Sequence, residues 1–334
     1  MYSLLTQGYL PNGRAVECGV VVAPDARYEQ QVTALLGHKG PAWSEHIAAA
    51  FAGEADELET RFYVATVDGS VVANIMTVER AGVGILGHVF TVPEARRQGV
   101  CRTLMTAQNA DFRARGGRRL VLGTGFESHP YWIYHSFGFR SLRGGFMAFS
   151  VDAGADPTPD WYDPAGAVVA PCAWRHWPGL AILAATDLGD VFRSAAWDVA
   201  DIGNLESPYV RFMQMLREEP GVQGAVLEGR SGAALGWATL TRLPAGYCGC
   251  WPGTWLLDAY VHPRAAGRLP DLLGSLQLPQ GKTLAWAPVG DEVRAAAYRG
   301  LGMEREGVVK GLMGGCAAAL FGMGAAVDAG GSRP

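Results

Sequence analysis

One order of apolar patterns occurs twice in this chain, and that recurrence restricts the fold more than any other feature. In the first half a strand-like run at 16–22 precedes helical spacing over 28–36 and 43–51. Strand-like runs follow at 61–67, 70–78 and 83–92, the first two joined by Asp68-Gly69, a strong hairpin signal. A helix over 100–115 is stopped by Gly116-Gly117; a strand over 119–123, a short helix over 129–137 and a last strand over 139–150 complete the unit. The second half repeats the order. The spacing predicts a strand at 167–171, helices over 177–187 and 209–218, and strands at 222–228, 233–241 and 254–261. A helix over 271–276, a strand at 283–288, a helix over 291–301 and a strand at 303–312 follow. Residues recur with the pattern. His88-Val-Phe-Thr-Val-Pro93 aligns with Asp258-Ala-Tyr-Val-His-Pro263, and Ile133-Tyr-His-Ser-Phe-Gly-Phe139 aligns with Ala297-Tyr-Arg-Gly-Leu-Gly-Met303. The expected class is therefore α/β, a mixed sheet with crossover helices, built twice in tandem.

Length agrees with two units. The 334 residues exceed the roughly 250–300 at which single cores stop growing. The expected division is a first domain at 1–152, a Pro/Asp/Gly-rich linker at 153–165, a second domain at 166–313 and a docked or frayed tail at 314–334. Apolar residues form 49% of the chain and charged residues 18%, which is globular composition and supplies two cores. The net charge of −4, without a long basic run, gives no electrostatic reason to invoke nucleic acid or an acidic membrane. A mildly acidic surface suits a small cationic partner. No stretch reaches the ~18 apolar residues of a membrane span, and the N-terminus lacks a signal peptide's charged start. The six cysteines match no zinc or disulfide framework, and Cys248 and Cys250, flanking one glycine, read as incidental thiols. No metal site is expected, and free thiols point to the cytoplasm. Trp174, Trp177, Trp197, Trp237, Trp251, Trp255 and Trp286 are expected to pack core and domain interface.

The chemistry is concentrated at residues 88–105. An apolar strand ends at Val92, Pro93 stops it, and the turn Arg96-Arg-Gln-Gly99 opens a helix at Val100. The first amides of a helix have no intrahelical acceptor, and the helix dipole favours negative charge beside them. Gly99 permits positive φ and close approach, while Arg96, Arg97 and Arg102 add positive charge. Such a turn suits a pyrophosphate.

The form R-x-x-G-x-small in Arg96–Cys101 resembles the pyrophosphate loop of the GNAT superfamily of N-acetyltransferases. The resemblance extends upstream to Val92-Pro93 and downstream to Tyr134-His-Ser-Phe-Gly-Phe139, similar to that family's L-Y-x-x-x-G-F helix end. Cys101 departs from the usual Gly or Ala. The resemblance implies acetyl-CoA, or another acyl-CoA, as co-substrate and direct transfer of the acyl group to an amine. It implies that Phe90 and Val92 pair their backbone with the pantetheine arm, and that Arg97, Gln98, Gly99, Val100, Cys101 and Arg102 hold the pyrophosphate. Tyr134 falls at the family's general-acid position. His88, with a pKa near neutrality, and Glu127, at the mouth of the next strand, are the candidate bases, ahead of His129 and His135. Cys101 as a nucleophile at a helix start is the alternative chemistry. Ser128 reads as a helix N-cap.

In the second half, Leu269 replaces the small residue and Pro270 removes an amide, so this copy is expected to bind CoA weakly or not at all. Asp258 then faces a pocket or solvent, and Tyr298 is core or substrate wall. The expected function is acetylation of a small primary amine by a monomer or homodimer. Protein or peptide acetylation, and a CoA-binding sensor without turnover, are the alternatives.

Overall fold

The computed structural model describes residues 1–152, 160–189, 192–244, 253–312 and 315–324. The Cys248/Cys250 pair, Trp251, most of the expected linker and the end of the expected tail lie outside the described residues. The first half contributes β1 (Tyr2–Tyr9), β2 (Ala15–Val22), α1 (Ala26–Leu36), α2 (Pro41–Ala52), β3 (Glu59–Val67), β4 (Ser70–Arg80) and β5 (Val83–Thr91). It continues with α3 (Val100–Ala114), β6 (Arg119–Gly123), α4 (His129–Ser136), β7 (Arg140–Arg143) and β8 (Phe146–Ser150). The second half contributes β9 (Val168–Pro171), α5 (Trp177–Ala185), α6 (Glu206–Glu218), β10 (Gln223–Glu228), β11 (Ala234–Arg242) and β12 (Trp255–Val261). It ends with α7 (Leu269–Gly274), β13 (Thr283–Pro288), α8 (Glu292–Gly300), β14 (Glu304–Leu312) and β15 (Cys316–Met323).

The two sheets run β1-β2-β3-β4-β5-β6-β8-β7 and β9-β10-β11-β12-β13-β15-β14. From β2 onward they share one strand order, and each holds a parallel pair at the same place, β5 with β6 and β12 with β13. The recurrence in sequence is thus a recurrence of topology.

Three expectations change. The single strand over 139–150 is the hairpin β7–β8, turning at Gly144-Gly145, with β8 rather than β7 against β6. The expected tail contains β15, which inserts between β13 and β14 as β8 inserts between β6 and β7. Its Ala- and Gly-rich composition gives little strand signal; antiparallel pairing on both edges sets it. β1, not anticipated, is a mostly exposed edge strand held by β2.

The halves also share a core. All nine residues of α5 are buried, as expected of a helix apolar on every side. It contacts β4, β5 and β6 of the first sheet and β11 of the second. One apolar cluster runs from Phe62, Val64, Ile85 and Val121 through Trp177 and Leu180 to Trp237 and Leu257. Burying one such side chain is worth about 1.5–3 kcal/mol, so α5 joins the sheets far more firmly than a linker would. A second cluster, with Leu86, Leu104, Phe112 and Leu122, lies beneath α3 on the opposite face of the first sheet. Polar ties seal the junction: Arg80 to Glu228 at 2.6 Å, Arg217 to Glu45 at 2.6 Å, and the Trp174 amide donating to Asp56 Oδ2 at 2.9 Å. Among the described residues, no helix is long and apolar enough to cross a membrane.

Candidate active site

β5 and β6 pair only at Val83–Arg119, Gly84–Leu120 and Ile85–Val121, after which no further pairs form and the strands fork. A bulge in β5 accompanies the fork. The β4–β5 register slips between Asn74 and Met76, His88 takes φ +48°, and the Asn74 amide donates to His88 O at 3.1 Å. Past the bulge, the Val92 amide bonds Val72 O at 2.9 Å. Alternation along an antiparallel strand then turns Phe90 toward β4 as well, and Val89 and Thr91 toward the fork. The backbone groups of Phe90 and Val92 therefore point to β4, and those of Val89 and the N–H of Thr91 point to the fork. Phe90 still lines the cleft, while Val92 is absent from its lining.

The anion cradle forms at the end of β5. Pro93–Ala95 make a 3₁₀ turn, and Arg97 and Gly99 both take positive φ, at +59° and +84°. The first helical bond of α3 is Thr103 N–H to Gly99 O at 3.0 Å, so the amides of Val100, Cys101 and Arg102 precede the ladder. Gln98 braces this loop: its amide donates to Glu94 O at 2.6 Å, and its Oε1 accepts from Asn12 at 2.8 Å. The β1–β2 turn therefore supports the loop from outside, a role the sequence reading did not foresee. Arg96 donates to Thr91 O at 2.9 Å and lies over Phe90, and Arg96, Arg97 and Arg102 all line the cleft.

The cleft encloses about 640 Å³ and is lined by Val89, Phe90, Thr91, Arg97, Gly99, Cys101, Arg102, His129, Ile133 and Tyr134, among others. Ser128 caps α4 as expected, accepting from the Tyr131 amide at 3.3 Å, and this aims Tyr134 inward. Burial pushes the Tyr134 phenol well up, with smaller contributions from Cys101 and Glu206, so it keeps its proton. The Cys101 thiol is also raised by burial, with Arg102 opposing less strongly, which disfavours thiolate chemistry.

The candidate bases fare differently. His88 is buried edge-on against Trp43, and burial, aided by Lys39 and the neighbouring histidines, pulls its pKa to about 3. An imidazole so reluctant to bind a proton is a poor acceptor near neutrality. Glu127 is exposed, takes φ +54° and lies outside the cleft lining. His129 lines the cleft at the exposed start of α4.

A residue from the second half reaches the fork instead. Extending the β5–β6 register by two pairs Gly87 with Gly123, both on the sheet face toward α5. A Cβ on Gly87 would lie 2.9 Å from Glu206 Oε1, and one on Gly123 3.5 Å from Glu206 Oε2. Glu206, first residue of α6, thus sits over the crotch of the fork, bonded to the Asn204 side chain and the Gly123 amide. Enclosure is the largest influence on it and raises its pKa to about 7, against the lowering effects of those bonds and of Lys39.

The second parallel pair ends at Leu257–Ala285. Asp258 is buried and accepts from Ser194 Oγ at 2.6 Å, the Ala195 amide at 2.8 Å and Trp237 Nε1 at 3.4 Å. It faces neither a pocket nor solvent, contrary to both expectations. Arg294 ties the same segment down by donating to Phe192 O at 2.6 Å. A 3₁₀ turn spanning Pro263–Arg268 replaces the open cradle, with Leu269 buried behind it. Tyr298 is fully buried core.

A parallel pair that forks beside a helix start with free amides is the arrangement of the first α/β domain. Residues 59–141 match the family model described as Acetyltransferase (GNAT) domain. Residues 59–141 thus carry a GNAT acetyltransferase domain, and the second sheet repeats the strand order of the first from β2 onward. No curated protein matches the chain. Among solved structures it is similar to a phosphinothricin acetyltransferase from Sinorhizobium meliloti in complex with AcCoA, at 18% identity and TM-score 0.38, covering 47% of this chain and 87% of that one. It is also similar to the ribosomal-protein-S18-alanine N-acetyltransferase from Escherichia coli, at 17% identity and TM-score 0.32, covering 40% and 96%. A GNAT acetyltransferase from Brucella melitensis in complex with acetyl-CoA gives 20% identity, TM-score 0.30, and coverage of 40% and 88%.

Proposed function

We propose that the first half transfers an acetyl group from acetyl-CoA directly to a small primary amine. The observation that carries this reading is the joining of the fork to the cradle: one cleft offers extended-strand groups at Val89 and Thr91 and free amides at Val100–Arg102. The diphosphate would meet those amides with Arg97 and Arg102, and the pantetheine arm would lie along Val89 and Thr91. Acetyl-CoA supplies the activated acyl carbon. Tyr134, protonated and enclosed, would donate to the departing sulfur. The acceptor must come from the other side of the fork. There Glu206, the half-buried Lys39, and Trp43, its ring tilted against Trp177 at 6.1 Å, wall the approach and favour a small amine over a polypeptide segment.

Replacing Tyr134 with Phe is expected to lower kcat about a hundredfold while the acetyl-CoA dissociation constant changes less than about twofold. Thiol release and calorimetry measure the two; wild-type turnover at neutral pH would remove the phenol from the acid role. With Asp258 bonded within the second half and a 3₁₀ turn in place of the open cradle, titration should give one CoA per chain. Two equivalents would contradict that expectation.

A further inference from the structure

We propose that Glu206, delivered across the interface by the second half, is the catalytic base that takes a proton from the acceptor's ammonium group. The proposal rests on the acetyl-transfer reading and adds to it a reason for the tandem architecture: the second copy, its cradle replaced by a 3₁₀ turn, completes the active site of the first.

Three observations point the same way. The first is place. The Glu206 carboxylate lies over Gly87 and Gly123, where the β5–β6 ladder has opened, on the face opposite the cluster that holds Tyr134. Acid and base then stand on the two sides of one gap, as transfer from a carrier on one face to an acceptor on the other requires. The second is room. A Cβ on Gly87 would lie 2.9 Å from the carboxylate and one on Gly123 2.3 Å from Nδ2 of Asn204, which bonds it, so glycine on both strands leaves room for this group and its partner. The third is electrostatic setting. Lys39 from the turn at Gly37–Lys39, Tyr134 from α4, the Asn204 side chain and the Gly123 amide surround the carboxylate. The start of α6 favours its charge, but enclosure prevails and holds its pKa at about 7, where a base both ionises and accepts protons readily.

The step balances as follows. The acceptor nitrogen enters as an ammonium, and one N–H proton passes to a Glu206 oxygen. The freed lone pair forms the C–N bond at the thioester carbon. The C–S bond breaks with its electrons on sulfur, which takes the Tyr134 proton. The nitrogen's second proton leaves to water, the phenolate recovers one from water, and Glu206 returns its proton to solvent. One amide, one CoA thiol and one net proton result.

The full chain should be assayed by thiol release from acetyl-CoA over a panel of primary amines between pH 5.5 and 9.5. The wild type is expected to show an acid limb in kcat/KM near pH 7. Glu206→Gln should lower kcat/KM at pH 7 by about a hundredfold or more, with unchanged acetyl-CoA affinity. Its rate should climb tenfold per pH unit toward the amine's own pKa, so the deficit narrows at alkaline pH. If Glu206→Gln does not fold, Glu206→Asp keeps the charge and should retain the limb at about a tenth of the rate. Wild-type rates in Glu206→Gln, a rate loss that leaves the limb in place, or a wild type with no limb between pH 6 and 8 each overturn the proposal. Wild-type protein that shows no calorimetric binding of acetyl-CoA removes the acetyl-transfer reading itself. Intact binding with undiminished Glu206→Gln turnover removes only the base.

Discussion

Glu in place of Gly99 is expected to weaken acetyl-CoA binding by about a thousandfold or more while the protein stays folded. Gly99 is the N-cap of α3 at φ +84°, a conformation that costs a non-glycine residue roughly 1–2 kcal/mol. An added Cβ would meet Pro11 Cδ at 3.3 Å, tight but at the edge of a surface turn. Strain alone therefore predicts a modest loss, and Gly99→Ala should bind only several-fold more weakly. The glutamate adds charge. Its carboxylate can fold onto the amides of Val100–Arg102, satisfying the helix start while occupying the place of a phosphate. One like-charge contact at about 4 Å costs on the order of 4 kcal/mol near a protein surface, which equals that thousandfold. Calorimetry on the Ala and Glu variants separates strain from charge. A Glu variant that titrates like the wild type would show that the diphosphate sits elsewhere.

What the sequence disclosed, and what it withheld, divides by range. The cradle was legible because it is local: Pro93, Gly99 and the apolar periodicity from Val100 report the strand end, the positive φ and the helix within a dozen residues. Ser128 was legible for the same reason. The parity of β5 was not. Whether Phe90 or Thr91 faces the fork depends on the bulge at His88 and on which edge β4 occupies, and neither is written in the strand's own alternation. Glu206 was hidden more deeply. Asn204-Leu-Glu206 reads as an ordinary helix start, and Gly87 and Gly123 as ordinary strand glycines; only the docking of α5 and α6 on the first sheet brings the three together. The lowered pKa of His88 was out of reach for a related reason, since it comes from the burial that Trp43 and its other neighbours impose. The missed strands β1 and β15 owe their existence to neighbours: one is mostly exposed, the other Ala-rich and paired on both edges.

That shared interface also fixes how the protein responds to acid. His46 is fully buried between Trp174 and Trp177, each 5.1 Å away, and burial brings its pKa to about 3. His88, beside it, is also at about 3. His176, bonded to the Ala173 amide and to Glu228, is brought to about 4, by burial first and by Arg175 second. All three are lowered from an unfolded value near 6.5, so the stability they represent is complete above that pH and is lost as pH falls toward 3–4. Glu206 acts in the opposite sense. Its folded pKa of about 7 exceeds its unfolded value of 4.5, so the folded protein holds an extra proton between those limits. Asp258, also raised by enclosure, opposes in the same way at the acid end of the window. Three histidines less one carboxylate leave about two protons taken up on unfolding, or roughly 3 kcal/mol per pH unit between pH 6.5 and 4.5. From pH 7 to pH 5 the unfolding free energy should therefore drop by about 4 kcal/mol, a large share of the 5–15 kcal/mol typical of a folded chain. Urea titrations across that range measure the slope. His46→Leu should flatten it by about 1.4 kcal/mol per pH unit and should gain on the wild type as the solution becomes more acid. A slope near zero in the wild type would mean that the histidines are hydrated in solution and that the two halves do not seal the core between them.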